Sequence, residues 1–185
     1  MFKKKTNIIK SVLVLGSTSI VAKSICLHLA DHNKCKRFHL IARNLKANKG
    51  LKNTLKNEYG AIVTEECVDL LDHLNFNTSI MPNVENFDLY LITAGSLGQA
   101  KLARSDIAEA FRITAANYLG IIPWITTIAS EERIRKPGKL WVFSSVAADR
   151  GRPSNYHYGA AKAGLTTFCQ GLLLRCTNKP FSVRI

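Results

Sequence analysis

The chain has 185 residues, of which 46% are hydrophobic and 21% charged, enough apolar material to bury the core of one domain and too much for a disordered chain. Twenty-six basic against 13 acidic side chains give a formal charge of +13, which favours anionic partners: a phosphorylated ligand, an anionic lipid surface or nucleic acid, or else a plain solvated lysine surface. Five cysteines without a C-x-x-C spacing argue against both a disulfide framework and a zinc site, so no metal is expected and a reducing, cytoplasmic setting fits.

The opening MFKKKTNIIKSVLVLGSTSIVA has the outline of a signal peptide, but Lys10 interrupts its apolar run and no stretch approaches the about 20 residues needed to span a bilayer. The run SVLVLG (11–16) reads instead as a buried β-branched strand, and a helical pattern follows from Ser19 to Asp31. FHLIA (38–42) predicts a second strand, with a lysine-rich helix reaching Tyr59. AIVTEECVD (61–69) predicts a third strand, trailed by a connection ending near Pro82, and FDLYLITAG (87–95) a fourth. A long helix is expected over 105–133 with Ser105 as its N-cap. KLWVFSS (139–145) predicts strand five, 156–177 a further long helix, and FSVRI (181–185) the start of strand six. Strands alternating with helices imply right-handed crossovers and a parallel sheet covered on both faces: a doubly wound, three-layer α/β fold, one domain over 1–185. Ligands of such sheets bind beyond the carboxyl ends of the strands, where strand order reverses.

Two places there suit a phosphate-bearing ligand. After strand one, Gly16 can make the strand-to-helix turn, while the hydroxyls of Ser17, Thr18 and Ser19 and the N–H groups of the helix start face an anion; the same residues also make an ordinary N-cap. At the end of strand two, Arg43 offers the donor fork suited to a ribose 2′-phosphate where an acidic residue would grip a 2′-hydroxyl. Asp69, ending strand three, either accepts from an adenine amino group or caps its own turn.

Tyr158 and Lys162 lie four residues apart on a predicted helix, and so on one face. A phenol is a poor proton donor near neutrality, and a neighbouring ammonium stabilises its phenolate. The small residues between them, Gly159, Ala160 and Ala161, let that helix press close to its neighbours. Tyr156 and His157 project off this face and read as packing or surface residues.

SSVAADRGRPSNYHYGAAKAGL, with Ser145 thirteen residues before Tyr158, resembles the short-chain dehydrogenase/reductase family and its Tyr-x-x-x-Lys motif. GSTSIVA stands where the family has T-G-x-x-x-G-x-G, ITAG (92–95) where it has N-N-A-G, and Asn117 in TAANYLG where it has its helix asparagine. The resemblance spans strand one to strand six and implies a Rossmann fold and hydride transfer between a nicotinamide and a carbonyl or secondary alcohol. It makes Tyr158 the general acid–base, Ser145 the holder of the carbonyl oxygen, Lys162 the cation beside Tyr158 and on the nicotinamide ribose, and Asn117 the holder of a relay water. Its expected cofactor contacts are Gly16, Ser17, Thr18, Ser19, Val21, Arg43, Asn44, Asp69, Leu70, Ala94, Gly95, Tyr158 and Lys162, with NADP(H) expected over NAD(H) because of Arg43.

The chain departs from the pattern at Ile20 and Ala22, in place of two glycines, and at Thr93, in place of an asparagine. Ile20 must then turn away from the pyrophosphate. Family members continue past a stretch like VRI with a substrate loop and usually a seventh strand, so the resemblance implies a Rossmann domain cut after the start of strand six, with weak or no turnover by this stretch alone. Within the family the motifs look most like bacterial reductases of cell-envelope sugars, such as the keto-reductase component of decaprenylphosphoryl-ribose 2-epimerase. A small-molecule or lipid-linked substrate is therefore expected, with peripheral membrane contact compatible and nucleic acid not expected. The resemblance further implies a homo-dimer or tetramer through the two long helices. IIPWITTIA (121–129) either joins such an interface or packs on the sheet with Pro123 kinking it. The alternative function is a non-catalytic nucleotide-binding regulatory or interaction subunit that keeps the fold.

Overall fold

The computed structural model describes residues 8–72 and 86–185; the connection expected to end near Pro82 lies outside the described residues. Six parallel strands form one sheet in the order β3-β2-β1-β4-β5-β6: β1 (Ser11–Leu15), β2 (Arg37–Ala42), β3 (Ile62–Cys67), β4 (Leu89–Ile92), β5 (Gly138–Val142) and β6 (Phe181–Arg184). This is the doubly wound arrangement expected. Strand order reverses between β1 and β4, which pair in register from Val12 opposite Leu89 to Leu15 opposite Ile92.

The central strands are buried on both faces, and their side chains alternate between two cores. Leu13 and Leu15 of β1, with Tyr90 and Ile92 of β4, pack against Trp124, Ile125, Leu165 and Leu172. Val12 and Val14 point the other way, to Cys26, Leu29, Leu51 and Leu55 on α1 (Ile20–His32) and α2 (Lys49–Asn57). At the entry of β1, the Asp88 carboxylate accepts from the N–H groups of Lys10 and Ser11 and from Ser11 Oγ at 2.9–3.0 Å, joining β1 to the start of β4.

The third and fourth strands are shorter than expected because their ends turn into the loops that line the ligand side. The single long helix expected over 105–133 is broken. Asp106, not Ser105, caps α3 (Ile107–Thr114), its carboxylate accepting from the N–H groups of Ala108 and Glu109. A π-helical segment, Ala115–Leu119, follows, and α4 (Ile122–Ile128) restarts with Pro123 in its first turn, where a missing N–H costs nothing. The apolar run from Ile121 onward packs on the sheet, with Ile121, Trp124, Ile125 and Ile128 buried.

α5 (Tyr156–Arg175) meets the rest of the fold through its small residues. A Cβ added at Gly159 would lie 2.6 Å from the Ala147 carbonyl oxygen, in the 3₁₀ turn Val146–Ala148 that follows β5. Gly to Ala inside a helix ordinarily stabilises by about 1 kcal/mol. Here the collision reverses the sign, and Gly159→Ala should lower the thermal midpoint by several degrees; a midpoint equal to or above wild type would show that the turn can yield.

Candidate active site

Gly16 closes β1 at φ +91°, a left-handed conformation that L side chains rarely adopt, and a Cβ there would stand 2.5 Å from the Ala94 amide nitrogen. The first phosphate-side turn is thus pressed onto the end of β4. Thr93, standing where the family has asparagine, fastens the same junction: its hydroxyl donates to the carbonyls of Leu15 and Gly16 at 3.3 and 3.0 Å. Above this junction an open cleft of about 240 Å³ runs along the carboxyl ends of the strands, lined among others by Gly16, Thr18, Ser19, Arg43, Asp69, Leu70, Ala94, Gly95 and Ser96.

Not all of the expected cofactor residues face it. Ser17 is fully buried and its hydroxyl is spent inside the fold, donating to the Ile41 carbonyl at 3.2 Å and to Asn48 Oδ1 at 3.0 Å, so it is not a phosphate donor. Ser19 caps α1, its Oγ accepting from Ala22 N–H, while keeping a place in the cleft wall. Val21 is exposed and lies outside the cleft lining. Ile20, 81% exposed, does turn its side chain away into solvent. Asn44 is likewise outside the lining, its Oδ1 accepting from the Lys46 N–H to cap the turn Leu45–Asn48. Asp69 lines the cleft and also caps its own turn, its Oδ1 accepting from the Leu71 N–H at 3.0 Å.

Of the four residues of the expected catalytic set, Asn117 and Lys162 meet beside Gly95, while Ser145 and Tyr158 lie on the turn after β5 and on α5. Asn117 sits in the π-helical segment, fully buried. The wider helical turn leaves the Ile113 carbonyl to accept from Asn117 Nδ2 at 2.8 Å, and the same amide brackets Ser96, donating to its carbonyl at 2.6 Å and accepting from its N–H at 3.0 Å. Lys162 is 3% exposed, with its Nζ donating to the Phe143 carbonyl at 3.0 Å. Just beyond, Ser144 Oγ lies 2.5 Å from Thr166 Oγ1, which itself donates to the Lys162 carbonyl, so the segment after β5 is stitched to α5 at the lysine and one turn further on. Gly95 is the meeting point: a Cβ there would stand 2.6 Å from Asn117 Oδ1 and 3.3 Å from Lys162 Nζ.

Tyr158, half-buried, lies one turn before Lys162 on the continuous helix α5 and shares its face. Ser145 is also half-buried and opens the turn Val146–Ala148, its Oγ accepting from the Ala147 N–H at 3.1 Å. That bond uses a lone pair and leaves the hydroxyl proton to be given elsewhere. His157 lines a separate cavity of about 350 Å³ with Arg104, Phe111 and Thr114.

Sequence reasoning missed Arg112, which also lines the cleft. Its Nε and Nη2 donate to the two carboxylate oxygens of buried Glu109 at 2.6 and 2.7 Å, and the Gln99 N–H adds a third bond to Glu109 at 2.6 Å. These bonds, Arg112 first, hold the Glu109 carboxyl down at about 2. The only signal in the sequence was a Glu–Arg pair at i, i+3, which reads as an ordinary helix surface. Among the described residues, no group of three or more His, Cys, Asp or Glu could hold a metal ion, and no helix is long and apolar enough to cross a membrane.

The sequence pattern of the short chain dehydrogenases matches residues 10–185. The chain belongs to that family. An uncharacterized oxidoreductase of Streptomyces coelicolor is 31% identical over 165 residues, covering 88% of this chain and 65% of that protein. An uncharacterized oxidoreductase of Mycobacterium tuberculosis is 36% identical over 104 residues, covering 56% of this chain and 42% of its own length. The chain thus spans less than two thirds of the curated relatives it matches. NAD+-bound xylitol dehydrogenase shares the fold with a TM-score of 0.79 at 19% identity, covering 98% of this chain and 69% of that one. Actinorhodin polyketide ketoreductase with NADPH does so at 0.76 and 18%, covering 94% and 67%.

Burial of Lys162 pushes its amine down to about 8, from an ordinary 10.5. Because the unfolded chain keeps this proton to higher pH than the folded one, the lysine opposes folding: the penalty is full below about pH 8 and fades between pH 8 and 10.5. It amounts to about 3 kcal/mol at most, partly offset by the about 1 kcal/mol of the bond to Phe143. Lys162→Met should therefore unfold at higher denaturant than wild type at pH 7, with the gap closing by pH 10; a variant less stable than wild type at pH 7 would contradict this.

Proposed function

We propose that this short-chain dehydrogenase is an NADP(H)-dependent oxidoreductase that moves a hydride between the nicotinamide and a carbonyl or secondary alcohol carbon. The observation that carries the reading is the junction at Gly95: the cleft at the strand-order reversal reaches Gly95, which packs against Asn117 and Lys162, and Lys162 shares its face of α5 with Tyr158. The residues present fit a dinucleotide, since Gly16 and Gly95 let the backbone of the cleft wall pack closely on Ala94, Asn117 and Lys162, and the start of α1 supplies N–H groups to a pyrophosphate.

When bound, the cofactor supplies or takes the hydride; the rest falls to this chain. In reduction Tyr158 gives its phenolic proton to the substrate oxygen, and in oxidation it takes a proton from the alcohol. Ser145, whose lone pair is already used by the Ala147 N–H, donates its hydroxyl proton to the same oxygen and holds it in line. The Lys162 ammonium favours negative charge on the phenol oxygen and donates to the ribose hydroxyls, exchanging its bond to Phe143 for them. Asn117 holds the 96–98 loop and, with Lys162, the start of a proton path to solvent.

Arg43, exposed at the end of β2 and lining the cleft, supports NADP(H) over NAD(H): a guanidinium there pairs with a 2′-phosphate. Exposed Arg150 and Arg152, in the loop between Ser145 and Tyr158, and exposed Arg104, whose Nη2 donates to the Pro153 carbonyl of that loop at 3.0 Å, support a phosphate-bearing or other anionic keto-sugar or lipid-linked substrate. Exposed Ile107 and Phe111 on α3 and Leu174 on α5 support assembly through these helices. Five free thiols suit a reducing cytoplasm.

The test is NADPH-dependent reduction of a panel of keto-sugars and their phosphates by the protein. Tyr158→Phe should lower kcat by about 10²-fold or more while the Kd for NADPH stays within about threefold; retained turnover would remove Tyr158 from the chemistry. Arg43→Glu should weaken NADPH by about tenfold or more and leave NADH nearly unchanged; an equal effect on both would deny Arg43 a 2′-phosphate.

A further inference from the structure

Arg112 is the cation in the cleft wall that the reaction just described does not use. It stands one helical turn from Ala116, which shares that wall with it, and the same cleft is lined by Asp69 and Leu70 just beyond β3. Its side chain is one-third exposed, while that of its partner Glu109 is 6% exposed.

What such a group can offer a ligand follows from how it is held. Two of the three guanidinium nitrogens, Nε and Nη2, are committed edge-on to Glu109, and Glu109 is itself fixed by the Gln99 N–H. The plane is therefore set before any ligand arrives, and little ordering entropy is left to lose on binding. The bidentate carboxylate also cancels the charge locally, so a phosphate approaching the cleft gains little from Arg112. That separates it from exposed Arg43. What remains free on Arg112 is Nη1 and the flat face of the ion, and a flat delocalised guanidinium stacks on the face of an aromatic ring.

We infer that Arg112, clamped by Glu109, is a stacking platform for the purine of the dinucleotide. The inference rests on the cofactor reading above and adds to it a residue that acts on the base and not on either phosphate. Its contribution is then the same for NADPH and NADH, indifferent to salt, and absent for a nicotinamide ligand that lacks the purine.

The test is titration of wild type, Arg112→Lys and Arg112→Leu with NADPH, NADH and reduced nicotinamide mononucleotide, at low and high salt. Arg112→Lys keeps a positive charge opposite Glu109 and removes the flat face; Arg112→Leu leaves Glu109 unpaired, so its thermal midpoint is measured alongside. The expected result for the lysine variant is about a tenfold weaker Kd for NADPH and NADH alike, at both salt concentrations, with the mononucleotide within about twofold of wild type. Wild-type affinity of Arg112→Lys for both dinucleotides would overturn the inference while leaving the cofactor reading in place. A loss confined to NADPH would also overturn it, by making Arg112 a phosphate ligand, as would an equal loss for the mononucleotide. Wild type that binds none of the three would remove the cofactor reading and this inference with it.

Discussion

A protonated amine in the interior is the constraint around which this molecule is arranged. Lys162 is almost wholly buried, and one backbone carbonyl, that of Phe143, receives its Nζ. A buried ammonium with so little solvation opposes folding. The surrounding structure accepts that cost and fixes the amine from three sides: β5 supplies the carbonyl, Ser144 and Thr166 join β5 to the lysine's own helix, and Gly95 keeps the space above it clear. A cation held this way is worth its cost only if a ligand group, in the proposed reading a ribose hydroxyl and the phenol of Tyr158, completes its shell.

The same economy of side chains explains the other close approaches. Gly16 lies against the backbone of Ala94, and Gly159 against the carbonyl of Ala147. Each brings a loop that follows a strand to within contact distance of the element carrying the next functional residue. The π-helical segment works in the same direction. By widening one turn it frees the Ile113 carbonyl for Asn117, so the asparagine amide is held from below and can bracket Ser96 above. Three strand ends and two helices are thereby locked at one corner of the sheet.

The features that showed in the sequence were those whose geometry is local. Tyr158 and Lys162 share a face because four residues make about one helical turn, whatever surrounds them. Gly16 after a β-branched run, and strands alternating with helices, are likewise near-neighbour signals, and they led to the doubly wound sheet. What failed to show depended on residues far along the chain. The Ser17 hydroxyl looked available to phosphate because nothing near it announced Asn48, which lies 31 positions away and takes its proton. Asn44 and Val21 follow from position in a pattern, which does not show that Asn44 Oδ1 caps its own turn or that Val21 is exposed outside the cleft lining. The unbroken helix expected over 105–133 concealed a π-helical turn, whose Asn117 bonds to Ser96, 21 positions away. Arg112 stayed hidden for the related reason that an i, i+3 pair carries no mark of whether it faces water or a cleft.

In the proposed reaction the amine of Lys162 changes partners when the cleft fills. A crystal structure of the protein with NADPH tests this most directly. The expected result is nicotinamide ribose hydroxyls within hydrogen-bond distance of Nζ, with the Tyr158 hydroxyl beside the nicotinamide ring. A dinucleotide bound elsewhere, or bound in the cleft with the ribose and ring remote from both residues, would contradict it.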